Sequence, residues 1–495
     1  MRRLRQLAAR TPAGRQRYVD LLRALAIGMV VLGHWAVAAI GEDAAGRPTG
    51  RSALPDLPWA YPLTWGAQVM PIFFLVGGYA NAASLTARRA AGVDATAWLL
   101  GRGARLLRPT TALLLVIAGG AALASLAGVG ATLVRTVAWF ATIPLWFLAA
   151  YLIVVPLTPA MLALHRRFGL FVPATLAALV VAGDVGRALG PTELALPNYV
   201  FGWLAVHQLG IAWRDADAGR HDAHPAAQAA PRPGEAPTGP APTRARGRRL
   251  PLSPRAGAAG LVGGLAATVL LTTVGPYPVS MLNVPGERLD NAAPPSLALL
   301  MLTVAQFGLI LLLRDPAERW LRRPGPWQAV IAVNSVVLTV FLWHLSAAIL
   351  LVGALDAVGW LPTAPVASTA WLAWRVPWVL MLAVVLIALV AVLGPVEARA
   401  GGGRAGNGRG GNGGRAGSGG WRARARTALT AAGFVAVVYA LVVNAQTPRS
   451  APEPLGVPVP ALVAYLAGAG ALRLLRSGWG GRGLPRRAGD PASGS

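Results

Sequence analysis

The sequence predicts an all-α polytopic membrane protein with about 12 transmembrane helices, and three observations predict it. First, 55% of the 495 residues are hydrophobic and only 13% are charged, with a mean hydropathy of +0.53. A soluble chain of this length would carry about 25% charged residues. Second, hydrophobic segments long enough to cross about 30 Å of hydrocarbon recur along the whole chain. Third, arginines alternate in density between successive connections, as they do around membrane spans.

The spans follow in order. Residues 1–18 form a basic tail, and span one covers 19–40. Ala36-Val37-Ala38 resembles a signal-peptidase site, but the apolar stretch carries Arg23 and His34 and exceeds an ordinary signal h-region. It is therefore read as uncleaved. Span two, 62–86, is interrupted by Pro71 and by Gly77-Gly78. Irregular backbone at that depth either lines a cavity or marks close helix packing, and both readings stand. Spans three to six cover 109–128, 138–160, 169–188 and 196–213. Residues 214–256, rich in Ala, Pro, Arg and Asp, read as a disordered linker. Spans seven and eight, 257–275 and 295–313, flank a polar loop over 276–296, which with 41–61 would frame an entrance from the outer side. Spans nine and ten cover 328–353 and 369–393. A Gly/Arg-rich linker, 396–426, then separates this ten-helix core from a C-terminal pair, 427–445 and 457–475, with a tail over 476–495.

Thirty-seven of the arginines fall before, between or after spans on the side of the N-terminus, and seven on the other side or at its border. By the positive-inside rule both termini are cytoplasmic and the protein sits in the cell membrane. The net charge of +26 is spread over short interspan clusters and linkers, not one folded face, which excludes a nucleic-acid surface. There is no cysteine, so there is no disulfide, thiolate metal site or cysteine nucleophile. Every basic residue is arginine, which excludes a lysine Schiff base. No His/Asp/Glu set has metal spacing, since His221-x-x-His224 lies in the linker.

The chemistry concentrates in span one. Arg23 and His34 are eleven residues apart, about three helical turns plus 20°, so they share one face about 16 Å apart along the axis. Ionisable groups inside a span are costly and by default mark a site. A fixed cation at one depth and a titratable imidazole at another suit a long anionic donor whose reactive end enters the bilayer. Neutral imidazole suits His34 as a general base toward a hydroxyl. Asp20, one turn before Arg23, would orient the guanidinium and is placed with His34 in the catalytic set.

Arg17-Tyr-Val-Asp20-Leu-Leu-Arg23, then ten residues, then His34, resembles the start of the acyltransferase-3 family of multi-pass membrane enzymes. Four further stretches are similar in the expected order. They are Pro71-Ile-Phe73-Phe74-Leu-Val-Gly77-Gly78-Tyr79, Arg102-Gly-Ala-Arg105-Leu-Leu-Arg108-Pro109, Leu145-Trp146-Phe147-Leu148 and Val340-Phe-Leu-Trp343-His344-Leu345. The resemblance covers about residues 15–395 and leaves out the terminal pair. One departure stands out: where the family's second motif has a serine, this chain has Gly77, so no serine nucleophile is expected there.

The resemblance implies an acyl-CoA donor, acetyl-CoA first of all, and a carbohydrate or related hydroxyl acceptor, with His34 catalytic. Transfer is either direct or through a transient acyl-enzyme. Arg23 would hold a donor phosphate, or be a structural partner of Asp20. Arg102, Arg105 and Arg108, spaced by three, would bind donor phosphates or lipid headgroups. Phe73, Phe74, Tyr79, Trp146 and His344 are candidate lining of the substrate pocket, with core packing as the competing account. His165, His207, His221 and His224 are read as nonfunctional. A twelve-span transporter with Arg23 as clamp and His34 as proton relay fits the span count equally, but its expected related halves are missing. A scaffolding protein would leave Arg23 and His34 unexplained.

Overall fold

The computed structural model describes residues 11, 15–42, 48–228, 250–284, 287, 289–362, 364–401 and 420–477. The expected helical bundle is there: eleven helices among the described residues are long and apolar enough to cross a membrane. The sixth expected span, 196–213, falls on a further helix, Asn198–Gln228, whose buried His207 and Gln208 dilute its apolar character. Large aliphatic side chains such as Leu123, Val262, Ile387 and Val435 face outward from the bundle, as a hydrocarbon solvent requires.

We number the helices α1 (Arg17–Val37), α2 (Met70–Ala90), α3 (Ala95–Leu126), α4 (Ala131–Thr142), α5 (Leu145–Phe168), α6 (Phe171–Leu189) and α7 (Asn198–Gln228). They continue with α8 (Pro254–Thr273), α9 (Leu297–Leu321), α10 (Pro324–Ser335), α11 (Val337–Ala357), α12 (Thr369–Gly401), α13 (Gly420–Gln446) and α14 (Val459–Arg476). α1 is the hub, packed against α2, α9, α10, α11 and α12. Beyond it the chain forms an antiparallel ribbon, β1 (Ala38–Glu42) with β2 (Pro48–Ser52), in register from Ala38 opposite Ser52 to Glu42 opposite Pro48.

Several expected boundaries move, each for a physical reason. Span three begins at Ala95 rather than 109, so the arginine run lies within α3, whose first turn is capped by Asp94 accepting from the Ala97 N–H at 2.6 Å. Span four begins at Leu145 rather than 138, because Pro144 ends α4 and restarts the helix. Span nine breaks at Val336. There the Glu397 carboxylate accepts from the N–H groups of Leu338 (3.1 Å) and Thr339 (2.7 Å) and from the Thr339 hydroxyl (2.6 Å), capping α11. Residues 214–228, read as part of a disordered linker, continue α7. Asp217 is buried there, accepting the Tyr79 hydroxyl at 2.7 Å and pairing with Arg314, which holds the helix past its apolar stretch. The Gly/Arg-rich linker likewise shortens to residues 402–419, outside the described residues, because α12 runs to Gly401 and α13 starts at Gly420.

The terminal pair is seated in the bundle. Arg135 of α4 is fully buried. It donates to Asn444 Oδ1 (2.8 Å) and to the carbonyls of Asn444 (2.8 Å), Thr447 (2.7 Å) and Gly456 (3.0 Å), gripping the α13–α14 connection. At the same end, the polar loop over 276–296 docks on the approach to α2. Trp65 Nε1 donates to the Val279 carbonyl (2.7 Å), Gln68 Nε2 to the Met281 carbonyl (2.6 Å), and the Met281 N–H donates to Thr64 Oγ1 (2.8 Å).

Candidate active site

His34 projects from the last turn of α1, and α11 brings His344 against it. The ring centroids are 5.0 Å apart, with His344 Nε2 3.3 Å from His34 Nδ1. Two backbone carbonyls define the tautomers, because a carbonyl can only accept. His34 Nδ1 lies 2.9 Å from the Val30 oxygen and His344 Nδ1 lies 2.7 Å from the Phe341 oxygen, so each ring carries its proton on Nδ1. His344 Nε2 is then an acceptor aimed at the His34 N–H. His34 Nε2 keeps a free lone pair, with no hydrogen-bond partner among the described residues. Trp35 Nε1 donates to the His344 carbonyl at 3.0 Å and locks the two helices at this level. Just beyond, Arg375 donates to the Ala38 carbonyl at 2.7 Å and lies 4.2 Å from the centroid of Trp371, fixing the end of α1.

At the other end of α1, Asp20 is buried and receives Arg15 Nε at 2.6 Å and Arg23 Nη1 at 3.5 Å. Its carbonyl accepts Asn334 Nδ2 at 2.9 Å. Asp20 stands fourteen residues, about 21 Å of helix, from His34. The structure therefore joins it to Arg15 and Arg23 and not to the imidazole.

Arg102 completes this end from α3. Its Nε donates to Asn81 Oδ1 at 2.8 Å, and Nη2 reaches the same oxygen. Asn81, fully buried on α2, lies with its Nδ2 3.2 Å from His207 Nε2 and 3.5 Å from the Tyr151 hydroxyl. Arg23 and Arg105 lie within electrostatic reach of Arg102, so the three form one basic cluster. Arg105 and Arg108 stand exposed on the same helix. His207, read from sequence as an idle boundary residue, is instead fully buried behind Asn81.

The aromatic candidates divide. Phe74 is fully buried, stacked on Trp203 at 4.5 Å, and Tyr79 is committed to Trp213 at 4.8 Å and to Asp217, so both are core rather than pocket lining. Phe73 and Trp146 are half-buried around Phe147, at 5.3 Å and 6.4 Å. Phe147 meets Phe341 at 5.4 Å, and Phe341 meets His344 at 6.2 Å. An aromatic wall thus runs from Phe73 to the histidine pair. The two glycines of span two also separate. Gly78 is close packing, since a Cβ there would strike the His207 carbonyl. Gly77 faces Tyr151, where a Cβ would sit 2.9 Å from Cε2 and 3.2 Å from the hydroxyl. The tyrosine ring fills the room a serine would need.

Sequence reasoning missed Asn81, Tyr151, His207, Phe147 and Phe341. Asn81 and His207 had a signal, being polar residues inside apolar segments. The aromatic residues had none beyond composition.

Among curated proteins and among solved structures, none matches the chain. The family model described as an acyltransferase domain matches residues 16–394, from the approach to α1 through the membrane-spanning part of α12. The arginine-to-histidine face of α1, the α3 basic run and the α11 histidine all lie inside that match. The chain therefore belongs to the acyltransferase-3 family and is a multi-pass membrane acyltransferase.

Proposed function

We propose that the protein takes an acyl group, acetyl first of all, from cytoplasmic acyl-CoA and transfers it to a hydroxyl of a carbohydrate or related acceptor. The observation that carries this reading is the free Nε2 of His34, presented by two fixed tautomers at one end of a helix face whose other end is basic. Arg23, Arg102, Arg105 and Arg108 hold the donor's phosphates at the basic end, and the pantetheine arm extends along α1 toward His34.

His34 Nε2 removes the proton of the acceptor hydroxyl as its oxygen attacks the thioester carbonyl. The C–S bond breaks, and the coenzyme A thiolate takes the proton back from the imidazolium. As that cation forms, the His34 Nδ1–H strengthens its bond to His344 Nε2, the part an orienting acceptor plays behind any catalytic histidine. His344 is thus a positioning residue rather than pocket lining. Phe73 and Trp146 supply the apolar wall beside the acyl group, in a site that is plasma-membrane-embedded with both termini inside.

The test is release of free coenzyme A from acetyl-CoA by purified protein in detergent. The reading expects slow turnover stimulated by hydroxyl acceptors. No turnover with any acyl-CoA, acceptor present, contradicts it.

A further inference from the structure

Around Asn81 four helices exchange hydrogen bonds, and each bond has a fixed direction. Arg102 of α3 is donor-only, so Asn81 Oδ1 must accept its Nε (2.8 Å) and its Nη2. That makes the other end of the amide the nitrogen. Its two hydrogens go to His207 Nε2 of α7 (3.2 Å) and to the Tyr151 hydroxyl oxygen of α5 (3.5 Å). His207 Nε2 is therefore an acceptor, and the ring carries its proton on Nδ1. A proton on Nε2 would call for the amide oxygen there and turn the amide nitrogen toward Arg102, donor against donor.

The helices that carry this relay meet at backbone distance. A Cβ on Gly78 would lie 2.0 Å from the His207 carbonyl, and one on Gly210 2.0 Å from the Leu75 carbonyl, so α2 and α7 touch with no side chain between them. Asn81 and His207 are fully buried. Arg102 is half-buried, and three of its five N–H groups have no acceptor among the described residues. Two buried polar side chains in apolar helices carry a desolvation cost that apolar packing would avoid. Their effect is to hold Arg102 along its Nε–Nη2 edge and leave the Nη1–Nη2 fork, the end that meets two phosphate oxygens at once. We propose that Asn81 and His207 are positioning residues for the acyl donor: Asn81 holds Arg102, and His207 fixes which way the Asn81 amide faces. This rests on the acyl-CoA reading for the ligand but not for the relay.

The experiment reads calorimetric affinity for coenzyme A and acetyl-CoA, and the unfolding midpoint, on full-length protein in detergent. It compares wild type, His207→Leu, His207→Gln, Arg102→Ala and the double variant His207→Leu with Arg102→Ala. Glutamine carries an amide oxygen that can accept the Asn81 N–H, and leucine does not. His207→Leu should weaken coenzyme A about tenfold, the scale of one charge-assisted hydrogen bond, and His207→Gln should recover most of that loss. Without Arg102, His207→Leu should weaken binding no further, because it acts through that guanidinium. The proposal is overturned if His207→Leu binds like wild type, if His207→Gln loses as much, or if His207→Leu costs the same affinity with and without Arg102, as packing damage would. Should His207→Leu fail to fold, Asn81→Ala in the same two backgrounds decides by the same rule. Wild type that binds neither coenzyme form sinks the acyl-CoA donor instead. The midpoints then decide the relay: His207→Leu should lower them less when Arg102 is already gone, and equal lowering overturns it.

Discussion

At the scale of single residues, the account turns on what holds His34. A carbonyl and a second imidazole fix its tautomer, so His344 matters without touching substrate. His344→Ala is expected to lower kcat on the order of 100-fold, the scale of general-base assistance, and leave KM for acyl-CoA unchanged. His344→Gln, whose amide oxygen can accept the same N–H, should recover part of the loss. Equal kinetics in both variants would reduce His344 to packing. Gly77 gives a second expectation. Gly77→Ser forces the Tyr151 ring aside, and such overpacking costs about 1–3 kcal/mol, read as a lower unfolding midpoint that Tyr151→Leu restores. A stable, fully active Gly77→Ser would show the tyrosine yields freely. The Arg23–His34 face was legible from spacing alone, because helical periodicity is local. His207 was not, because its meaning lies in Asn81, 126 residues away, and in the arginine Asn81 holds.

At the scale of elements, long apolar runs announced themselves and their interruptions did not. The break at Val336 depends on Glu397, which sits in a different helix and caps α11 with its carboxylate. Burial, the largest influence, pushes the Glu397 carboxyl up from its ordinary 4.5, against the hydrogen bonds that pull it down. A raised acid favours the protonated folded state. Its stabilising share is therefore complete below the ordinary value and fades as pH climbs through the raised one. Comparing unfolding midpoints of wild type and Glu397→Gln across that window should show wild type losing relative stability as pH rises from about 4.5. A difference that grows in the opposite sense would reverse the assignment. Pro144 was readable as a helix stop, yet the preceding α4 is amphipathic enough to blur where span four begins.

At the scale of the whole molecule, membrane class and family order were evident from composition and motif sequence, and the seating of the terminal pair was not. That seating depends on Arg135, whose acceptors are backbone carbonyls that leave no trace in side-chain identity. If α7 also crosses, the crossings among the described residues are even in number and the two ends of the chain lie on one side, which the arginine distribution predicts to be the cytoplasm. With no native cysteine, single replacements report side cleanly. Glu287→Cys should react with an impermeant maleimide on intact cells, and Arg422→Cys only after permeabilisation. Reaction of both from one side would break the topology. The central claim, that one helix holds the donor at its basic end and deprotonates the acceptor at the other, is met most directly by comparing two variants in one assay of coenzyme A binding and thioester turnover. His34→Ala should bind coenzyme A like wild type and release none from acetyl-CoA, whereas Arg23→Ala should bind about tenfold more weakly and still turn over at saturation. Turnover surviving His34→Ala, or binding indifferent to Arg23→Ala, would contradict it.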